Sequence, residues 1–276
     1  MGISEYDTTV LKALPTIKKS FPFRAGCTSY VFPDHILPNV KLMAPFVDDF
    51  EIVLFESSER SNLPDKETIH ELSAAAQNHD LSYTIHLPID RKAASDDPVL
   101  EKGFTETAKR VIDLMYGLDP YAYILHLESV RFDSDREWIK RWEERSRDVC
   151  AEIGSHLLDE SHKVCIENLG YPPVWNTGLA CDAGLSLCTD IGHLWVYEKE
   201  WKGLIEKLLN KTRVVHLHGT SGRDDHLSLE AGDVSSIDYV LKRLIKGYSG
   251  VMTLEVFGRG DTLSSIRFMD RFLKES

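Results

Sequence analysis

The 276-residue sequence has few cysteines and none of the spacings that usually give cysteine a structural role. Its five cysteines include no Cys-x-x-Cys pair, which disfavours a disulfide-stapled miniprotein. No run of about 18 consecutive apolar residues occurs, so we expect no membrane-spanning segment. The first 23 residues lack the apolar core of a secretory signal. These absences together predict a chain of the reducing cytoplasm.

Basic residues are also in short supply. The 32 lysines and arginines are outnumbered by 44 acidic residues, which gives a formal net charge of −12. Proteins that bind polyanions normally carry a basic excess, because neutralising phosphates drives their affinity. The charge balance therefore disfavours a nucleic-acid partner without excluding it, since bound cations could cancel part of the acidic excess.

Short β-rich segments alternate with longer amphipathic segments after residue 23. Eight segments have strand character: 24–29, 50–56, 81–87, 121–127, 163–168, 185–191, 213–218 and 250–256. The clearest helical stretches are 65–79, 97–116, 134–159, 197–210, 235–246 and 261–274. This alternation predicts an α/β chain with a single (β/α)8 TIM barrel over 24–276, preceded by an N-terminal extension over 1–23. A doubly wound open sheet is the alternative, but no GxGxxG or GxxxxGK[ST] motif follows the first strand.

Ionisable side chains recur at the ends of six predicted strands, where barrels of this type form their active sites. They are His86, His126, Glu167, Asp190 with His193, His216 with Asp224, Asp225 and His226 beyond it, and Glu255. Burying several imidazoles and carboxylates together costs several kcal/mol for each unpaired charge, and divalent cations offset that cost. The pattern therefore predicts a metal site of imidazole and carboxylate ligands, which suits zinc, manganese or iron.

This pattern resembles the xylose isomerase-like barrel superfamily, which contains apurinic endonuclease family 2 and many sugar isomerases. The Asp-x-x-His at 190–193 and the Asp-x-His at 224–226 match the endonuclease branch, in which three metal ions lie at the ends of successive strands. The resemblance implies up to three divalent ions, zinc or manganese, with Glu167 bridging two of them. The implied ligands are His86, His126, Glu167, Asp190, His193, His216, Asp224, His226 and Glu255. Among these, Glu167, Asp190 and Glu255 are the candidate catalytic carboxylates.

A second resemblance lies over residues 21–57, FPFRAGCTSYVFPDHILPNVKLMAPFVDDFEIVLFES. This stretch is similar to the cobamide-remodelling phosphodiesterases of the CbiR type. The resemblance implies hydrolysis of the phosphodiester in the nucleotide loop of a cobamide, giving a cobinamide phosphate and a free α-riboside. Tyr30, Phe32 and Trp195 are candidates to contact the corrin ring or the lower base, with rim packing as the competing interpretation. His218 shares a face with His216 and is a candidate substrate-binding or supporting residue.

Three other functions stay open at this point. A sugar isomerase or epimerase would need one metal and a carboxylate that moves a proton, and it would leave His86, His126 and the Asp224–His226 pair unexplained. An apurinic-site endonuclease would use the same ligands, but the acidic charge counts against DNA. So does Leu229–Gly232, which reads Leu-Glu-Ala-Gly where the endonucleases have Leu-Gly-x-Gly. A non-catalytic carrier of corrinoids or sugars is the third.

Overall fold

Parallel strands close into a barrel in the structure, a computed structural model that describes residues 9–95, 97–127 and 135–275. The barrel strands are β1 (Arg24–Thr28), β2 (Asp49–Val53), β3 (Ser82–His86), β4 (Ala122–Leu125), β5 (Val164–Glu167), β6 (Ser186–Asp190), β7 (Thr212–Leu217) and β10 (Val251–Leu254). They neighbour one another in the order β1, β10, β7, β6, β5, β4, β3, β2, and β2 returns to β1. This topology confirms the predicted (β/α)8 barrel.

Helices alternate with these strands. They are α1 (Ile36–Met43), α2 (Lys66–His79), α3 (Pro98–Met115), α4 (Arg136–Leu157), α5 (Val174–Ala183), α6 (Ile191–Tyr197), α7 (Trp201–Leu208), α8 (Val234–Gly247) and α9 (Arg259–Glu275). Asp65, the N-cap of α2, accepts a hydrogen bond from the Thr68 amide at 2.8 Å. Asp135 caps α4 in the same way, accepting from the Glu137 amide at 3.0 Å. Within the described ranges, no helix combines the length and apolarity needed to cross a membrane.

One helix was predicted to begin too early and another was missed. The helix predicted over 197–210 is observed as α7 (Trp201–Leu208), and α6 (Ile191–Tyr197) before it was not predicted. Asp190 explains the early start of α6, because its Oδ1 accepts a 2.6 Å hydrogen bond from the His193 amide and so caps a helix directly at the strand end. An antiparallel hairpin of β8 (Gly219–Ser221) and β9 (Asp224–Leu227) was also not predicted.

The described chain divides into two compact units, and the first contains both termini. It is formed from Met1–Ile52, Pro64–Tyr83 and Val215–Ser276. Here β1 pairs with β2 so closely that a Cβ at Gly26 would lie 2.8 Å from the Asp49 carbonyl oxygen, which explains the glycine. The segment predicted as an extension contributes Ile17, which is fully buried and donates its N–H to the Phe46 carbonyl at 3.0 Å.

The second unit is formed from Val53–Leu63 and Thr84–Val214. Its strands β3, β4, β5 and β6 pair in parallel, each with the next. The largest side chain in its core is Trp142 of α4, which is fully buried and packs against the rings of Tyr171 and Trp175. This aromatic cluster fixes the segment that follows Glu167 at the end of β5.

Candidate active site

Three predicted ligands of the second unit converge on one point. His86 ends β3, His126 follows β4 and Glu167 ends β5. The two Nε2 atoms of the histidines lie 3.2 Å apart, and Glu167 Oε2 lies 3.6 Å from that of His86 and 3.0 Å from that of His126. Ligand atoms about 2.0–2.1 Å from a tetrahedral zinc ion are about 3.4 Å from one another. The spacing of these three atoms therefore fits a divalent ion.

Backbone carbonyl groups fix the tautomers of the His86 and His193 rings. Nδ1 of His86 lies 2.9 Å from the Leu87 carbonyl oxygen, and Nδ1 of His193 lies 2.9 Å from that of Asn168. A carbonyl oxygen can only accept, so Nδ1 carries the hydrogen in both rings. Each ring then presents Nε2 with a lone pair, which is the form that binds a metal.

Asp190 and Glu167 are held by amide side chains next to them. Asn168 accepts a hydrogen bond from the Asp190 amide at 2.8 Å and donates one to its carbonyl at 2.9 Å. Asn176 in α5 donates to the Glu167 carbonyl at 2.7 Å. His193 Nδ1 lies 3.5 Å from Glu167 Oε1 and 3.6 Å from Asp190 Oδ2. The predicted residues His193, Asp190 and Glu167 are thus neighbours, and sequence reasoning missed both asparagines.

The first unit holds further predicted ligands. His216 in β7 is fully buried, and its Nδ1 lies 3.0 Å from Oε2 of Glu255, which follows β10. His226 Nε2 lies 3.5 Å from the same oxygen. The other nitrogen of His216, Nε2, donates to Oε2 of Glu51 at 2.9 Å. Glu51 lies inside β2 and was not among the predicted residues.

The hairpin fixes the rings of His218 and His226. Asp225 accepts from His226 Nδ1 at 2.9 Å, which leaves Nε2 of His226 with its lone pair. The His226 amide donates to His218 Nδ1 at 2.9 Å, closer than the 3.2 Å contact of the same nitrogen with the Gly219 carbonyl oxygen. Nδ1 then accepts, and the neutral ring carries its hydrogen on Nε2. The two rings stack with centroids 4.4 Å apart.

Asp224, a predicted metal ligand, is exposed at the start of β9, where it pairs in register with Ser221. Its assigned role stays a prediction. The adjacent Asp225 is the residue whose carboxylate contacts His226. The sequence offered two adjacent aspartates, and the Asp-x-His spacing selected the first of them.

The candidate substrate residues occupy different environments. Tyr30 is half-buried, and its ring meets Phe257 edge-on at 6.4 Å, while Phe257 is 40% exposed and 5.3 Å from the His226 ring. Phe32 is only 2% exposed and donates its amide to Asn39, which favours the packing interpretation. Trp195 is half-buried in α6 and meets Trp201 edge-on at 6.0 Å.

The fold is a closed (β/α)8 barrel whose strand ends carry imidazole and carboxylate groups that could hold a metal ion. The sequence model of the xylose isomerase-like TIM barrel family matches residues 47–272, and the chain belongs to this family. No curated protein matches the sequence.

Several solved structures share the fold. A D-tagatose 3-epimerase-like protein aligns with a TM-score of 0.78 and 21% identity over 92% of this chain and 98% of its own. The 3-keto-D-glucoside 4-epimerase of E. coli aligns with a TM-score of 0.71 and 13% identity, covering 92% of this chain and 100% of its own. Endonuclease IV from Thermus thermophilus aligns with a TM-score of 0.68 and 18% identity, covering 92% of this chain and 100% of its own. At these identities the similarity shows the fold alone.

Proposed function

We propose that the chain is a metal-dependent phosphodiesterase that hydrolyses the nucleotide-loop phosphodiester of cobamides to a cobinamide phosphate and an α-riboside. The observation that carries the proposal is that each unit contributes its own set of imidazole and carboxylate groups in mutual contact. In the second unit these are His86, His126 and Glu167, and in the first unit His216 and His226 both contact Glu255. An isomerase needs only one metal ion and a carboxylate, whereas phosphodiester hydrolysis uses several ions to activate water and neutralise phosphate.

Side chains of the two groups have distinct roles in this proposal. Glu167, fully buried and adjacent to three histidines, supplies negative charge to the second unit's group. His86 presents its Nε2 lone pair, and His126 Nε2 faces the same point, as nitrogen ligands. Divalent ions held there would supply Lewis acidity, which activates water and withdraws charge from the phosphoryl oxygens. His218, with its hydrogen on Nε2, would donate a hydrogen bond to a phosphoryl or leaving-group oxygen.

The substrate assignment depends on the rim and on the resemblance over residues 21–57. Tyr30 and Phe257 form an aromatic edge beside His226, and Phe257 is exposed enough to meet a flat, apolar ligand. The corrin ring and the aromatic lower base of a cobamide are ligands of that kind. The net charge of −12 supports a small-molecule phosphodiester over DNA.

Product analysis tests this proposal. The full chain is loaded with Mn²⁺ or Zn²⁺ and incubated with cobalamin, and the products are resolved by liquid chromatography and mass spectrometry. We expect cobinamide phosphate and the α-riboside from the wild type and at least a 100-fold lower rate from Glu167→Gln. Glu160→Gln, a carboxamide substitution at the opposite end of β5, serves as the matched control and should retain wild-type activity.

The same preparation separates the other functions. Conversion of D-tagatose with intact cobalamin would favour an epimerase, and cleavage of an abasic-site oligonucleotide would favour an endonuclease. Binding of cobalamin without cleavage, unchanged in Glu167→Gln, would identify a carrier. Each of these results would refute the proposed phosphodiesterase.

A further inference from the structure

Glu51 is a fully buried carboxylate in the middle of β2, at a position where an apolar side chain would be expected. Its Oε2 accepts hydrogen bonds from His216 Nε2 at 2.9 Å and from Thr253 Oγ1 at 3.2 Å. Its other oxygen, Oε1, has no hydrogen-bond partner in the described part of the chain. A buried charge lowers stability unless it is well paired, so the burial of Glu51 needs a compensating interaction.

The contact with Glu51 determines the form of the His216 ring. The Nε2 contact is a hydrogen bond, whereas the approach of Nδ1 to Glu255 Oε2 at 3.0 Å lacks hydrogen-bond geometry. A carboxylate oxygen accepts, so Nε2 of His216 carries the hydrogen. In the neutral ring Nδ1 then holds a lone pair, and it lies 3.0 Å from Glu255 Oε2. Two electron-rich atoms at this distance repel each other unless a cation lies between them. The geometry therefore directs His216 Nδ1 and Glu255 towards a shared ion.

In the second unit, backbone groups rather than a carboxylate fix the histidine tautomers. His86 and His193 are held by backbone carbonyls, which fix the tautomer but carry no net charge. Glu51 fixes the tautomer of His216 through a side-chain carboxylate, 2.9 Å from Nε2. A carboxylate partner also makes the imidazole a stronger electron donor to a bound metal, and such partners change metal affinity by about 10- to 100-fold.

We propose that Glu51 is a positioning residue for metal binding: it holds His216 in the Nε2–H tautomer and strengthens Nδ1 as a ligand. This inference depends on the proposed function only for the presence of a metal ion. It assigns to Glu51 a role that acts through its hydrogen bond to His216.

The test combines two readouts on the full chain. Nitrogen NMR of the metal-free protein labelled with ¹⁵N-histidine, assigned with a His216→Gln variant, reports the tautomer of His216. Chelator competition with Co²⁺, followed by its visible absorption, reports affinity and ligand field. We expect an Nε2–H tautomer in the wild type. In Glu51→Gln we expect loss of that tautomer's dominance, an altered Co²⁺ spectrum and about 10- to 100-fold weaker binding of one ion.

Asp49→Asn is the matched control, because Asp49 is an equally buried carboxylate of the same strand that accepts a hydrogen bond from Ser82. It should leave the tautomer and the Co²⁺ spectrum unchanged. If Glu51→Gln does not fold, Glu51→Asp withdraws the carboxylate by one methylene and should give a smaller change in the same direction.

The inference is overturned if the wild type holds His216 as the Nδ1–H tautomer or as imidazolium between the two carboxylates. Wild-type Co²⁺ affinity and spectrum in a folded Glu51 variant would overturn it as well. If the wild type binds no divalent ion, the proposed function fails and so does the metal-binding role of Glu51. A failure of Glu51 alone leaves wild-type metal binding and hydrolysis intact.

Discussion

Replacing Gly219 with alanine should displace the hairpin that carries His226 while leaving the barrel folded. A Cβ on Gly219 would lie 2.1 Å from the Ser228 carbonyl oxygen, and contacts under 3.0 Å essentially never occur. The obstacle is backbone on both sides, so the two segments must separate by about 0.9 Å. Gly219 pairs with Leu227, the residue after His226, so the displacement passes directly to the His226 ring.

The expected changes in unfolding free energy and in rate follow from this steric overlap. Overpacking of this kind costs about 1–3 kcal/mol of unfolding free energy, which a barrel of this size should survive. A displacement of about 1 Å in a catalytic group can lower the rate about 100-fold. We therefore expect Gly219→Ala to keep its circular dichroism spectrum, lose a few degrees in Tm, and hydrolyse cobalamin about 100-fold more slowly.

Gly260→Ala is the control for this substitution, because a Cβ there meets no atom within 4 Å. It should match the wild type in Tm, metal content and rate. The reasoning is refuted if Gly219→Ala also retains the wild-type rate and metal content. That result would mean that His226 does not depend on the close contact between β8 and Ser228.

Three further predictions concern the second unit and the thiols. Asn176→Ala removes the 2.7 Å hydrogen bond to the buried Glu167 carbonyl and should lower the free energy of unfolding by about 1–3 kcal/mol. A chemical denaturation curve with unchanged midpoint and slope would contradict this. Trp142→Ala should cost about 3–5 kcal/mol because the indole is fully buried, and a loss below about 1 kcal/mol would show that the aromatic cluster is not tightly packed. Burial raises the pKa of the Cys150 thiol to about 12. At pH 8 a thiol reagent should therefore label the exposed Cys181 rapidly and Cys150 only on unfolding. Rapid labelling of Cys150 in the native protein would contradict its burial.

Much of the fold and part of the site could be predicted because, in a parallel barrel, residues at the ends of successive strands lie near one another. His86, His126 and Glu167 each stand at the end of a β-rich run, so their positions follow once the runs are recognised as parallel strands. The same logic located His216 and Glu255. The physical cause is simple: the carboxyl ends of parallel strands lie at one end of a barrel.

The remaining features depend on contacts that no local pattern records. Glu51 lies within an otherwise apolar run, and its partner His216 is 165 positions away in sequence. Asn176 is one polar residue among several in α5, and only the folded chain directs it to the Glu167 carbonyl. The choice between Asp224 and Asp225 depends on the pairing of β8 with β9, which the sequence pattern did not predict.

The number of divalent ions held by each chain is the most direct test of the account. The protein is loaded with Mn²⁺ or Zn²⁺, desalted and measured by elemental analysis against protein concentration. The two ligand groups, one in each unit, predict two or three ions per chain for the wild type and a lower number for Glu167→Gln. A single ion, or none, would contradict the phosphodiesterase as proposed.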